Sequence, residues 1–266
     1  MFDRPTRRAS SALALAFCVA GWNWSLVRAQ DETKAEGKSE APRVKALPGP
    51  APTPKVNLLP TLHTTPVRRG SQGPNVQMVD ASLLPRDKQG IWVLDFAFKP
   101  LRMRTVEVPG KGRKLVHYLY YRVANRTGKA REFVPQFTLV TDTGKRYEES
   151  VLPAGVKIIQ AREDYSIKVL GAVDVDGMIP PSTKEGIDDA VFGVAMWEGV
   201  DPHADRMSIY VRGLSDGFQE VPSPNGGKPA VRYKTLRIDL IRRGDARNLN
   251  EKEITLAEPS HEWIYW

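Results

Sequence analysis

Gly213-Leu214-Ser215-Asp216-Gly217 spells G-x-S-x-G, the pattern of a nucleophile elbow. That motif exposes a serine on a strained strand-to-helix turn at the top of a parallel α/β sheet. A strand pattern does precede it, with Met207, Ile209 and Val211 alternating against Ser208, Tyr210 and Arg212. The stretch that follows holds Pro222, Pro224 and Pro229 and cannot form the helix an elbow needs. Ser215 therefore reads as a turn residue. Asp201-Pro202-His203-Ala204-Asp205 sets three ligand-bearing side chains at alternate positions, and Asp174 and Asp176 lie in another loop. Carboxylates and imidazole together suit calcium or a transition metal. The spacing matches no known cage, since Asp174-x-Asp176-Gly177 lacks the remaining calcium-loop positions, and Asp and Pro are also what a polar turn selects. His63, His117 and His261 read as structural or solvated. No catalytic residue, metal ligand or cofactor is assigned.

The elements that would position these groups are strands. Asn125 to Tyr147 reads as turn, strand, turn, strand. Asn125, Thr127 and Gly128 suit a reversal, Phe133, Pro135, Phe137 and Leu139 alternate with Val134, Gln136 and Thr138, and Thr141 to Gly144 turns the chain back. Trp92, Leu94, Phe96 and Phe98 share one face of a strand that Lys99-Pro100 ends or bends, and a more polar strand runs on to Val108. Leu115 to Val123 is dense in aromatic and branched residues and should be central. Its buried face is ambiguous: Val116, Tyr118 and Tyr120 compete with Leu119, Tyr121 and Val123. Ala154 to Arg162 suits a short helix, Ile167 to Val175 another strand, and the apolar run Ala190 to Trp197 a strand buried on both faces. Leu236, Ile238 and Leu240 alternate against Thr235, Arg237 and Asp239, and His261 to Trp266 closes the chain as an edge strand. Many short strands and little helix predict an all-β, immunoglobulin-like antiparallel sandwich with one short helix.

The N-terminus has a different character. Arg4, Arg7 and Arg8 precede the short apolar run Ser11 to Gly21, and Val27-Arg28-Ala29 offers a cleavage site before Gln30. Residues 1–29 thus read as a signal peptide, and the mature chain as carrying no transmembrane segment. Cys18, the single cysteine of the chain, falls inside this leader, and the bulky Phe17 before it argues against lipidation. Residues 30–85, punctuated by Pro42, Pro48, Pro50, Pro52, Pro54, Pro60, Pro66 and Pro74, read as a disordered linker. The sandwich domain is expected over 86–266.

The 266 residues carry a formal net charge of +8. Without residues 1–29, which hold four arginines and one aspartate, the net is +5. The basic residues are scattered and no nucleic-acid module signature appears, which argues against a nucleic-acid partner. Asn125-Arg126-Thr127 is formally a glycosylation sequon but reads more simply as a turn. Trp263, Tyr265 and Trp266 would suit the last strand of an outer-membrane barrel, but the repeated long strands of a barrel are missing.

Trp92 to Arg102, the Asn125–Tyr147 hairpin and Gly193 to Trp197 resemble an uncharacterised family of secreted planctomycete proteins, over most of Ile91 to Gly217. The hairpin is also similar to the immunoglobulin-like domain of small bacterial secreted lipoproteins, in which N-x-T-G precedes a strand and D-x-G-x-x-Y follows it. Neither resemblance carries a catalytic residue. The resulting expectation is a non-catalytic protein, secreted or held in the periplasm or cell envelope, that binds an envelope protein or a glycan. The competing reading is a secreted hydrolase or metal enzyme built on Ser215 or on Asp201, His203 and Asp205.

Overall fold

Alternation of apolar and polar residues makes strands that need a second layer, and this chain supplies two sheets and a helix to cover them. The computed structural model describes residues 59–71, 73, 75–222, 227–243 and 252–266. The leader and the linker up to residue 58 lie outside these. In chain order the strands are β1 (Thr65–Arg68), β2 (Gln77–Val79), β3 (Asp95–Phe98), β4 (Arg102–Val108), β5 (Gly112–Ala124), β6 (Arg131–Phe133), β7 (Gln136–Thr141) and β8 (Arg146–Glu148). After helix α1 (Pro153–Glu163) come β9 (Val169–Leu170), β10 (Gly177–Ile179), β11 (Ile187–Glu198), β12 (Arg206–Arg212), β13 (Phe218–Val221), β14 (Ala230–Ile241) and β15 (Thr255–Tyr265).

One sheet of seven strands runs β1-β11-β5-β3-β2, with β4 also on β5 and β9 on β11. A second of six runs β13-β14-β12-β7-β8, with β15 on β14, and β6 pairs with β10 in a small ribbon. Among the named strands every pairing is antiparallel except the two-residue contact of β9 with β11, and Thr61 adds a single parallel bridge to Met178 of β10. The sheets close on a shared core that includes Phe96, Leu119, Tyr121, Phe137, Leu139, Val191, Ile209, Val211, Leu236 and Ile238. This is the all-β sandwich with one short helix that the alternation implied.

Strand β5 explains why its own sequence could not name a buried face. Leu119, Tyr121 and Val123 point into the inter-sheet core. Val116, Tyr118 and Tyr120 enter a second core with Leu152 and Ile159 of the helix region and Val194 and Met196 of β11. The helix, opened by Pro153 at its first turn, lies across that second face. Tyr121 is seated by an absent side chain: a Cβ at Gly193 on the neighbouring strand would come within 2.3 Å of its ring. The Tyr121 ring then packs against Phe96 and Phe137 at centroid separations of 5.5 and 4.8 Å.

Three expectations need correction. The linker and domain boundary at 85/86 lies too late, because β1 pairs with Ile187–Ala190 of β11 and β2 with Phe96–Phe98 of β3. Proline suggested a linker there, yet β1 is an edge strand, where the missing amide of Pro66 costs no ladder bond. The strand read from Phe133 to Leu139 is two strands, β6 and β7, which join different sheets on either side of Val134-Pro135. Burial alternates as the sequence implied from Phe133 to Phe137, with Val134 and Gln136 outside, but Thr138, expected outside, is buried and donates to Glu148 at 2.9 Å. The strand expected over Ile167 to Val175 shrinks to Val169–Leu170, because Gly171 to Asp174 turns away.

Candidate functional site

Ser215 sits where β12 gives way to the short strand β13, not to a helix. Gly213 has φ +88°, and a Cβ there would lie 2.5 Å from the carbonyl of Val134, so the turn passes tightly under the β6–β7 break. Ser215 Oγ donates to the carbonyl of Trp92 at 2.6 Å and accepts from the amide of Gly217 at 3.1 Å. Asp216 accepts the amide of Trp92 at 2.9 Å. The motif fastens the start of the Trp92–Leu94 segment to the turn, and among the described residues no imidazole is bonded to the serine.

Of Asp201, His203 and Asp205, only the first two approach, with His203 Nδ1 3.4 Å from Asp201 Oδ1. Asp201 accepts from Lys145 Nζ at 2.9 Å, Thr143 Oγ1 at 3.2 Å and the amide of His203 at 3.0 Å. The lysine bond, and after it the His203 amide, hold its carboxyl far below the usual carboxylate range. The His203 side chain is 82% exposed. Asp205 contributes its backbone carbonyl, which accepts from the Arg242 amide at 2.8 Å. Among the described residues no three His, Cys, Asp or Glu side chains gather as a metal would require. This is a capped turn.

The other candidates are also placed. Asn125 is fully buried and its amide is saturated: Nδ2 donates to the carbonyls of Lys129 and Ile179, and Oδ1 accepts from the amide and hydroxyl of Thr127. A sequon asparagine so enclosed is a structural turn. His63 is exposed, and His261 meets the edge of Phe98 and the hydroxyl of Ser260. His117 is buried on β5, and neither of its ring nitrogens has a hydrogen-bond partner among the described residues. Burial, then the nearby charge of Arg242, depresses it to about 4, so it is a neutral core residue.

The groups with unspent chemistry lie elsewhere, on the outer face of the six-stranded sheet. Ser208, Tyr210 and Arg212 of β12 project there, since Met207, Ile209 and Val211 face the core. Tyr210 stacks on Trp266 at 4.4 Å and 18°, and Arg146 lies over Trp266 at 4.9 Å. Arg212 covers Tyr233 at 4.2 Å. On one side of the aromatic pair is a cleft of about 420 Å³ lined by Gln136, Thr138, Arg146, Glu149, Arg212 and Trp266 among others. On the other side is a cleft of about 560 Å³ whose lining includes Arg206, Ser208, Arg237, Asp239 and Arg243. Glu149 is pushed up to about 8 by burial and then by the charge of Asp176, itself raised by burial. At neutral pH Glu149 therefore keeps its proton and can donate a hydrogen bond into the first cleft.

A third cleft of about 390 Å³ opens on the seven-stranded sheet beside the helix, near Phe98, Tyr120 and Phe192. Its carboxylate Glu163 is already committed, and its Arg122 is bonded to the Ser71 carbonyl and the Met78 sulfur. Glu163 accepts from Lys99 and Arg102, each at 2.7 Å, and from the Tyr118 hydroxyl at 2.9 Å. The arginine–aromatic face, by contrast, presents Arg206 and Arg243 exposed and Arg212 half-exposed beside its two clefts. The sequence reading missed it because its members come from β7, β8, β12, β14 and the chain end, each of which reads alone as the polar side of a strand.

Neither protein-family models, nor curated proteins, nor solved structures give a match to this chain.

Proposed function

We propose that the chain is a non-catalytic binding module, exported to the cell envelope or beyond, that holds an acidic glycan on the outer face of its six-stranded sheet. The carrying observation is the Tyr210–Trp266 stack set between two arginine-lined clefts. Aromatic rings offer the apolar faces of a sugar a packing surface, and guanidinium groups match carboxylate or sulfate substituents bidentately. Arg237 and Arg146 already pair with Asp239 and Glu148, at 2.9 and 2.7 Å, which leaves Arg206, Arg212 and Arg243 as the cations an acidic polymer would meet. The protonated Glu149 adds a donor without adding negative charge.

The test is titration of the purified protein with a polyuronate, a sulfated polysaccharide and a neutral glucan at low and high ionic strength. Binding of the acidic polymers, weakened by salt and cut at least about tenfold, or about 1.4 kcal/mol, in Trp266→Ala and Arg212→Ala, is the expected result. No binding, or equal binding by both variants at unchanged thermal stability, would refute it. Export is checked separately: the N-terminal sequence of protein recovered from envelope or medium should begin at Gln30.

A further inference from the structure

The segment from Ser82 to Lys88 crosses the end of the six-stranded sheet and is fastened there from below. Lys234 of β14 occupies the same side of its strand as Leu236, Ile238 and Leu240, a register position otherwise given to core hydrophobes. Its side chain has 0% exposure, and that of Asp87, its partner, has 3%. Lys234 Nζ donates to Asp87 Oδ2 and, at 2.7 Å, to the carbonyl of Ser82. The Tyr265 hydroxyl donates to Asp87 Oδ1, and the Leu84 amide donates to Oδ2 at 2.6 Å. The ring of Trp263 lies 5.3 Å from Nζ and closes one side of the site.

We propose that Lys234 and Asp87 condense into an intramolecular isopeptide bond. As an ion pair the amine is protonated and cannot attack. One proton passed from Nζ to Oδ2 makes both partners neutral; burial favours that form, while the hydrogen bonds from Lys234, Tyr265 and Leu84 hold the Asp87 carboxyl below its usual range and make the transfer the slow step. The Nζ lone pair then attacks Cγ, while Tyr265 polarises the Cγ–Oδ1 bond. Oδ2 departs as water, carrying the transferred proton and a second one from the amine. No oxidant or co-reactant is needed.

The surroundings fit the product as well as the reactants. The amide keeps one N–H, and the Ser82 carbonyl is in place to accept it. It keeps Oδ1, to which the Tyr265 hydroxyl already donates. Leu84 is half-exposed, so solvent can replace Oδ2 as the acceptor for its amide and offers the leaving water a way out. The bond would tie positions 147 residues apart in a chain whose one cysteine is Cys18.

The experiment is intact-mass and tryptic-peptide analysis of the purified full chain, with its N-terminus determined. The expected result is a species lighter by one water than its sequence, and a branched peptide joining the segment of Asp87 to Tyr233–Arg237 with no cleavage after Lys234. Lys234→Arg and Asp87→Ala should restore the full mass. Asp87→Asn, which has no carboxylate to take the proton from Nζ, should also leave the chain at the full mass of its sequence. A wild-type chain of full mass cut by trypsin after Lys234 overturns the proposal, as does a water loss that persists in Lys234→Arg.

Discussion

The two sheets of this sandwich differ in what covers them. The seven-stranded sheet is buried on both faces near β5, between the inter-sheet core and the helix. The polar groups around it are tied to one another, as Lys99, Arg102 and Tyr118 are tied to Glu163. The six-stranded sheet buries one face and leaves the other to solvent, with arginines and aromatic rings standing in rows. A sheet with two covered faces is scaffold, and its chemistry is consumed in holding itself together. A sheet with one open face has side chains to offer a ligand.

The sharpest way to break this contrast is to remove scaffold. Phe137, 1% exposed and packed against Tyr121, should cost about 3–5 kcal/mol as Phe137→Ala, read by denaturant unfolding. Unchanged stability would refute the burial of Phe137 between the two sheets. Glu163→Ala comes next. It leaves Lys99 largely buried without its carboxylate and Arg102 with Glu253 alone, and should cost about 3 kcal/mol. Ser215→Ala ranks third: losing its bond to the Trp92 carbonyl should cost about 1 kcal/mol and leave glycan binding intact. Arg212→Ala, on the open face, should change stability by less than about 0.5 kcal/mol while reducing binding.

A pH series sharpens the same comparison. Unfolded His117 takes up a proton near 6.5 and the folded side chain only near 4, so stability should fall as pH drops through that window. Glu149 acts in the opposite sense. Folded, it holds its proton up to about pH 8, whereas its ordinary value is 4.5, so stability should fall as pH rises between the two. Glu149→Gln should remove the fall above pH 6.5, where His117 no longer contributes. If the slope there is unchanged, Glu149 is solvated and the floor of its cleft is wrong.

Local pattern made most of the scaffold legible. Period-two alternation named the buried faces of β7, β12 and β14, and the unbroken apolar run of β11 announced two covered faces. The sequence was silent where two readings had equal local support. Pro66 looks the same in a linker and in an edge strand until β11 is beside it. Tyr118 and Tyr121 are both core because a helix that begins at Pro153 covers the second face. The binding face was least legible, since Arg146, Tyr210 and Trp266 meet only through long-range pairing. Ser215 and His203, with the most suggestive letters, are fixed in turns, the first by the Trp92 carbonyl and the second, through its amide, by the Asp201 carboxylate.

Strand β5 has one more consequence, for how the molecule opens. Because its two faces belong to different cores, neither core can come apart while β5 stays in register. The helix layer and the inter-sheet layer are thereby coupled into one cooperative unit. The amides of Tyr118 to Val123, paired with β11 on one side and with β3 or β4 over most of their length on the other, should exchange with solvent only when the whole domain unfolds. Those of β1 and β8, each bound to a single neighbour, should exchange through local fraying long before.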